Sequence, residues 1–234
     1  MEKDLEMAWR IARMAAERGG RVYFVGGFVR DGAMGRKSGD VDIEIHGMTA
    51  DAVRAMLSEI GPWKEMGASF GVFGLRGYTL DIALPRRGGG KGEDADRDPF
   101  MGRKEAARRR DFTMNAMMQD ALTGEIFDDF GGRTDIRNRI IRHVDDETFR
   151  RDPLRVLRAA QFAARFDFTI APETMAVCRT LDIGGLAKER VMGEIEKALM
   201  KSEKPSIFFE ALRTMGQHEP WMAEVAALEG VKQR

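Results

Sequence analysis

Val25-Gly26-Gly27-Phe28-Val29-Arg30-Asp31, followed by Asp40-Val41-Asp42-Ile43-Glu44-Ile45, is the stretch that decides the fold. Arg21 to Val25 reads as a short buried strand, broken by two glycines that open a brief helix. Val41 to Ile45 then alternates. Val41, Ile43 and Ile45 share one face of a strand, Asp42 and Glu44 the other. Asp40 and Asp42, at i and i+2, project their carboxylates from a single face. Two like charges held side by side are unfavourable unless a cation joins them. A hard divalent ion such as Mg²⁺ binds through such oxygens and shares its other positions with phosphate and water. Asp81, in Thr79-Leu80-Asp81-Ile82, lies in a similar setting on the second strand of an expected hairpin. That hairpin runs from Ser69 to Leu75 and from Tyr78 to Leu84 about Arg76-Gly77. Asp40, Asp42 and Asp81 are thus the candidate catalytic acids, with Asp40 and Asp42 as metal ligands. An exposed acidic edge of a half-buried strand gives the same pattern, so the acids alone do not decide. The upstream turn adds weight. Gly26 and Gly27 let the backbone approach a triphosphate, helix-terminal N–H groups can hold it, and Arg30 adds a cation.

Composition bounds the rest. The chain has 234 residues, 38 Lys+Arg against 38 Asp+Glu, and 43% hydrophobic residues, enough for a folded core rather than disorder. No apolar run approaches the ~20 residues that span a bilayer. The N-terminus has no apolar stretch of the secretory kind. The single cysteine, Cys178, excludes a disulfide framework and a multi-cysteine zinc site. The expected compartment is the cytosol. Zero net charge excludes a uniformly basic nucleic-acid binder but not a local stripe. Arg133 to Arg165 holds nine arginines and no lysine against five acids. Arginine suits planar, bidentate contacts to phosphates and base edges, although a solvated helix face gives the same composition.

Outward from the opening stretch, Glu2 to Arg18 has helical spacing through Leu5, Trp9, Ile11, Ala12, Ala15 and Ala16. Thr49 is placed to cap a helix to Ile60. Residues 85–104 read as a mobile loop and 105–118 as an interrupted helix. Beyond Asp145 helices dominate: 153–166, 172–181, 187–200, 205–215 and 219–228. The layout is a mixed α/β domain over 1–145 and an all-α domain over 146–234. His46, His143 and His218 have no ligand spacing.

Two further motifs carry chemistry. In Arg109-Arg110-Asp111-Phe112-Thr113-Met114-Asn115-Ala116, the guanidinium groups suit phosphate or ribose, Asp111 can accept from a 2′-hydroxyl, and Asn115 can contact sugar or phosphate. A basic helix start with a capping acid is the plainer reading. In Arg151-Asp152-Pro153-Leu154-Arg155-Val156-Leu157-Arg158, Asp152 and Arg155 are expected one helical turn apart. Together they offer an acceptor and a donor at fixed spacing, enough to read the pairing edge of cytosine or adenine.

In this order the motifs resemble the class II nucleotidyltransferases of the DNA polymerase β superfamily: CCA-adding tRNA nucleotidyltransferases and bacterial poly(A) polymerases. The resemblance runs from about Arg21 to about Met215. Gly26 to Asp42 looks like the family's metal-binding motif, and Arg109 to Ala116 its ribose-recognising motif. Asp128 through Asp135 is similar to the hinge between head and neck. Asp152 and Arg155 match a base-templating motif, and Lys188-Glu189-Arg190 a neck-stabilising segment. The resemblance implies an α+β fold: a polymerase-β-like nucleotidyltransferase head, a small mixed sheet flanked by helices, followed by an all-α neck. It implies a nucleotide site of Gly26, Gly27, Arg30, Arg109, Arg110, Asp111, Asn115, Asp152, Arg155 and Arg158, with Mg²⁺ as cofactor. It also implies CTP and ATP as substrates and the 3′ end of tRNA as acceptor.

Two departures stand out. Arg151 occupies the place of an acid that orients the templating arginine. The chain ends soon after the neck, as expected of either a piece or a minimal enzyme; a piece should bind nucleotide well and tRNA poorly, whereas tight tRNA binding is the expectation for a complete minimal enzyme. The expected function is CCA addition. Poly(A) addition, an idle nucleotide- or RNA-binding fragment, and transfer to a small acceptor are the alternatives. The arginine-rich neck counts against the last.

Overall fold

The computed structural model describes residues 1–66, 72–86, 98–219 and 221–222. It divides into two compact units, one of Met1–Arg110 with Met114–Arg133, the other of Asp111–Thr113 with the chain from Thr134 onward. The architecture is α+β, with the sheet in the first unit and most helices in the second.

The first unit is built on seven strands: β1 (Arg21–Val25), β2 (Val41–His46), β3 (Trp63–Met66), β4 (Val72–Leu75), β5 (Leu80–Ala83), β6 (Met118–Asp120) and β7 (Ile126–Phe127). Their order is β3-β4-β5-β2-β1-β6-β7, with β2 and β5 parallel and every other pair antiparallel. Alternation gives the sheet one apolar face: Val22, Phe24, Val41, Ile43, Ile45, Phe73 and Ile82 are all buried. Helix α1 (Glu2–Ala16) and helix α3 (Ala50–Ile60) bury Ala8, Ile11, Ala12, Ala15, Val53, Met56 and Leu57. Thr49 caps α3, its side chain accepting from Ala52 N. The stripe on α1 differs from the expected one. Trp9 is exposed, and the buried polar residue Asp4 accepts from the backbone N–H and hydroxyl of Thr79. Helix α2 (Gly27–Ala33) follows β1 directly. The interrupted helix resolves into α4 (Arg103–Arg108), a 3-10 turn at Thr113–Asn115, and strand β6, so Met118 is in the sheet. Part of the expected loop, 87–97, lies outside the described residues, as do 69–71 of the expected hairpin and most of 219–228.

In the second unit, α7 (Leu154–Phe166) is the central helix, with ten of its thirteen residues buried. It packs against α9 (Lys188–Lys201), α10 (Ser206–Met215) and the two-stranded parallel pair β8 (Ile140–Ile141) and β9 (Thr169–Ile170). Helices α6 (Asp146–Arg150) and α8 (Pro172–Cys178) complete it. The division falls at 133/134, in the first turn of α5 (Gly132–Asn138), rather than at 145/146. The reason is that β8, inside the expected first domain, pairs with β9 of the helical unit. Residues 111–113 also join that unit. Phe112 is fully buried, edge-on to Phe149 and Phe162 at 5.7 Å, and its backbone bridges His143. Trp221 is half-buried, its indole N–H donating to the Ile183 carbonyl at 2.8 Å.

Candidate functional site

The polar face of the sheet carries the acids. Asp42 and Asp81 are direct partners across the parallel strands β2 and β5, so their side chains leave the same face. Asp40 sits one residue before β2, exposed, and Asp81 is also exposed. Burial pushes the Asp42 carboxyl up to about 6, and repulsion from Asp81 and Asp40 adds to it against the attraction of Arg110 and Arg30. Burial, then Asp40, also raises Asp81. Among the described residues no group of three His, Cys, Asp or Glu forms a self-sufficient metal cage. Asp40, Asp42 and Asp81 thus form an excess of negative charge at one spot.

Beside Asp42 the chain turns at Gly26 with φ 62° and ψ −126°, a conformation that L side chains rarely adopt. A methyl group there would stand 3.5 Å from Arg110 Nη1 and 3.6 Å from Asp42 Oδ2, so glycine, acid and guanidinium meet at one point. Arg110 donates to Glu44 at 3.2 Å, while its buried Nε has no hydrogen-bond partner among the described residues. Arg109 also reaches Glu44, at 3.5 Å. Arg30 is buried rather than open to a ligand. Its Nε donates to Asp31 and its Nη1 to Asn115 Oδ1, each at 2.8 Å. That clasp ties α2 to the 3-10 turn, and it engages two expected ligand residues with each other.

Glu44 was not among the expected site residues. It is 1% exposed, on the same face of β2 as Asp42, and held by His46 Nε2 at 2.9 Å besides the two arginines. Burial alone would raise its carboxyl, but His46, Arg110 and Arg109 together pull it down to about 2. The signal was the alternation itself, which put a third acid in the row Asp40, Asp42, Glu44 with His46 next.

The second unit holds the other candidates. Asp111 accepts from Arg158 Nε at 2.7 Å and from its neighbour Phe112 N at 2.8 Å. Arg158 also lies 3.7 Å from buried Glu194 and over the Phe162 ring. Asp152 is not on a helix with Arg155. It precedes α7, accepts from Leu154 N, and receives Arg190 at 2.8 Å. Proline at 153 stops the helix from extending back to it. Arg155 donates to the Thr148 carbonyl at 2.9 Å, and burial lowers its pKa. Arg151 pairs with Glu147 one turn back. Asp135 receives Thr113 Oγ1 at 2.7 Å and Arg142 Nε at 3.2 Å, and Asp128 caps α5 through Gly132 N and Arg133 N.

A glycine turn, a row of carboxylates with excess charge and buried arginines beside them lie together in the first unit, which is followed by a helical unit. The chain belongs to the family of the poly A polymerase head domain, whose pattern it matches over residues 22–142, more than half its length. It is 40% identical over 226 residues to the multifunctional CCA protein of Stenotrophomonas maltophilia strain K279a, covering 92% of this chain and 54% of that one. It thus spans about half the length of the curated relatives it matches. The Bacillus stearothermophilus CCA-adding enzyme, solved in complex with CTP, superposes with a TM-score of 0.81 at 30% identity, covering 95% of this chain and 55% of that one. The Thermotoga maritima CCA-adding enzyme, solved with tRNA, gives 0.74 at 27% identity, covering 91% and 50%. Among the described residues no helix is long and apolar enough to cross a membrane.

Proposed function

We propose that this chain is the head and neck of an RNA nucleotidyltransferase that transfers CMP and AMP from CTP and ATP to the 3′ end of tRNA. The observation that carries the reading is the Asp42–Asp81 pair, with Asp42 pushed up to about 6 next to Gly26 and Arg110. The RNA hydroxyl attacks the α-phosphate and pyrophosphate leaves. Mg²⁺, held by Asp40 and Asp42 with triphosphate oxygens, would neutralise charge on the transferred group and make the hydroxyl a better nucleophile. Gly26 and Gly27 admit the phosphates to the backbone, and Arg110 offers them its guanidinium while Glu44 holds it in place. Asp111 is proposed to accept from the ribose, and Asp152, Arg155 and Arg158 to meet the base. Arg109 steadies Glu44, and Arg30 with Asn115 holds the glycine turn. Such a site works by positioning and charge complementarity. The proposed compartment is the cytosol, which suits the buried free thiol of Cys178.

The test is direct. The chain is incubated with tRNA lacking its 3′ end and with each labelled nucleotide, and the products are sequenced. C, C and A in order support the reading, a run of A makes it a poly(A) polymerase, and no incorporation with any nucleotide refutes it.

A further inference from the structure

The polar face of the sheet continues past Asp81. In-register pairing places Lys64 on β3, Gly74 on β4, Asp81 on β5 and Asp42 on β2 in one row across four strands. Direct cross-strand partners share a face, so Lys64, Asp81 and Asp42 leave the same side of the sheet. Gly74 contributes no side chain and leaves a gap between the cation and the acids. A cavity of about 590 Å³ opens there, its lining including Lys64, Gly74, Arg76, Tyr78 and Asp81. Lys64 and Arg76 are exposed, and neither has an ion-pair partner among the described residues.

We infer that this cavity seats the last nucleotides of the acceptor RNA, its phosphates on Lys64 and Arg76 and its 3′-hydroxyl beside Asp81. The inference rests on the nucleotidyl-transfer reading and deepens it. In-line displacement puts the attacking and leaving oxygens on opposite sides of the phosphorus. Gly26, Gly27 and Arg110 lie on the β1 side of Asp42, which is the proposed triphosphate side. The hydroxyl therefore arrives from the β5 side, where the cavity is. With strands ~4.8 Å apart, Lys64 stands on the order of 14 Å from Asp42 along the row. That reach suits a short single strand and exceeds what a lone small acceptor needs. Charge complementarity agrees, since two cations without ion-pair partners among the described residues line a cavity whose lining also includes Asp81. Tyr78 is half-buried, with Lys3 Nζ 4.7 Å from its ring centroid, and offers a stacking surface of the kind that holds unpaired bases.

The test uses the whole chain with both Lys64 and Arg76 changed to Ala. Expected are a rise of about tenfold in KM for the RNA, unchanged KM for CTP and ATP, and kcat within threefold. The salt slope of oligonucleotide binding should fall by about 1.4, at ~0.7 per lost single-strand phosphate contact. Gly74→Val, which fills the gap with a strand-compatible side chain, should raise the RNA KM in the same sense. An RNA KM and salt slope equal to wild type in the double variant would overturn the proposal, and so would a rise in nucleotide KM instead. Binding of a short single-stranded RNA, followed by fluorescence polarisation, separates this proposal from the reading beneath it. If the wild type incorporates no nucleotide, the functional reading fails. The seat then stands or falls on whether the double variant binds that oligonucleotide more weakly.

Discussion

Asp42 and Glu44 stand two residues apart on one face of one strand, and their surroundings drive them in opposite directions. At the Asp42 end of β2 the neighbours across and before it are acids, and the carboxyl rises to about 6. At the Glu44 end two arginines and His46 converge, and the carboxyl falls to about 2 although Glu44 is the more deeply buried. Burial pushes both the same way, so the difference comes from partners. Glu44 has its counter-charge within the fold. Asp42 is left with negative charge that a cation from solution can neutralise, and the fold bears that strain where the chemistry is proposed.

The comparison breaks most clearly at Asp42. Asp42→Asn should lower nucleotide incorporation about 10³-fold, in the range seen when a group that stabilises developing charge is lost. Without divalent ions it should also raise stability by about 1 kcal/mol, discounted for partial exposure, or ~2–4 °C in Tm. Near-normal incorporation with Mg²⁺ as the only divalent ion would remove this site from the mechanism.

Glu44 should behave in the opposite way. Glu44→Ala leaves Arg109 and Arg110 beside a lost carboxylate and should cost about 3 kcal/mol in urea unfolding, with Glu44→Gln costing less. The pH dependence carries the same contrast. A carboxyl lowered in the folded state stabilises above its unfolded value of 4.5, and that contribution is lost as pH falls toward about 2. A carboxyl raised in the folded state does the reverse. Asp42 costs stability as pH rises from 3.8 through about 6. Urea midpoints measured from pH 3 to 7 should show a shallower acid loss in Glu44→Gln and a flatter approach to neutrality in Asp42→Asn. Identical profiles for the two variants would erase the distinction.

Smaller effects sharpen it. Asp111 is paired by Arg158 much as Glu44 is paired by Arg110. Asp111→Asn should therefore fold, yet narrow the preference for CTP over dCTP by about tenfold, the worth of one charge-assisted hydrogen bond. An unchanged CTP/dCTP ratio would move ribose recognition elsewhere. At the low end, Arg151→Ala removes an exposed pair with Glu147 and should change stability by less than ~0.5 kcal/mol, as thermal melting would show.

Much of this was legible in the residues. The period of two from Val41 to Ile45 produced β2, and the glycines after Val25 produced the turn. Thr49 capped its helix, and the hairpin about Arg76-Gly77 lies where turn chemistry puts it. Errors came where a residue's environment is set by distant chain. Trp9 fits a helical stripe but faces solvent, because the sheet below α1 receives Met7, Ala8 and Ile11 instead. Asp152 and Arg155 look like helix neighbours by spacing, yet Pro153 begins the helix after Asp152, and the acid turns to Arg190 on α9. The partner of Arg30 was equally illegible: Asn115, 85 positions along the chain, accepts from its guanidinium.

The sequence by itself determined which residues share a face, because side-chain direction follows from backbone periodicity, a local property of a few consecutive residues. It thereby put Asp42 and Glu44 on one side of β2 and set the order of motifs along the chain. Only the tertiary structure decided which charges those faces meet. Asp81 stands opposite Asp42 because β5 pairs parallel to β2, and Arg109 and Arg110 meet Glu44 because α4 brings the following residues over that end of the strand. Coulomb energy depends on distance through space, and separation along the chain does not fix that distance. The same spacing of acids could therefore have yielded two paired carboxylates or two strained ones, and the fold made one of each.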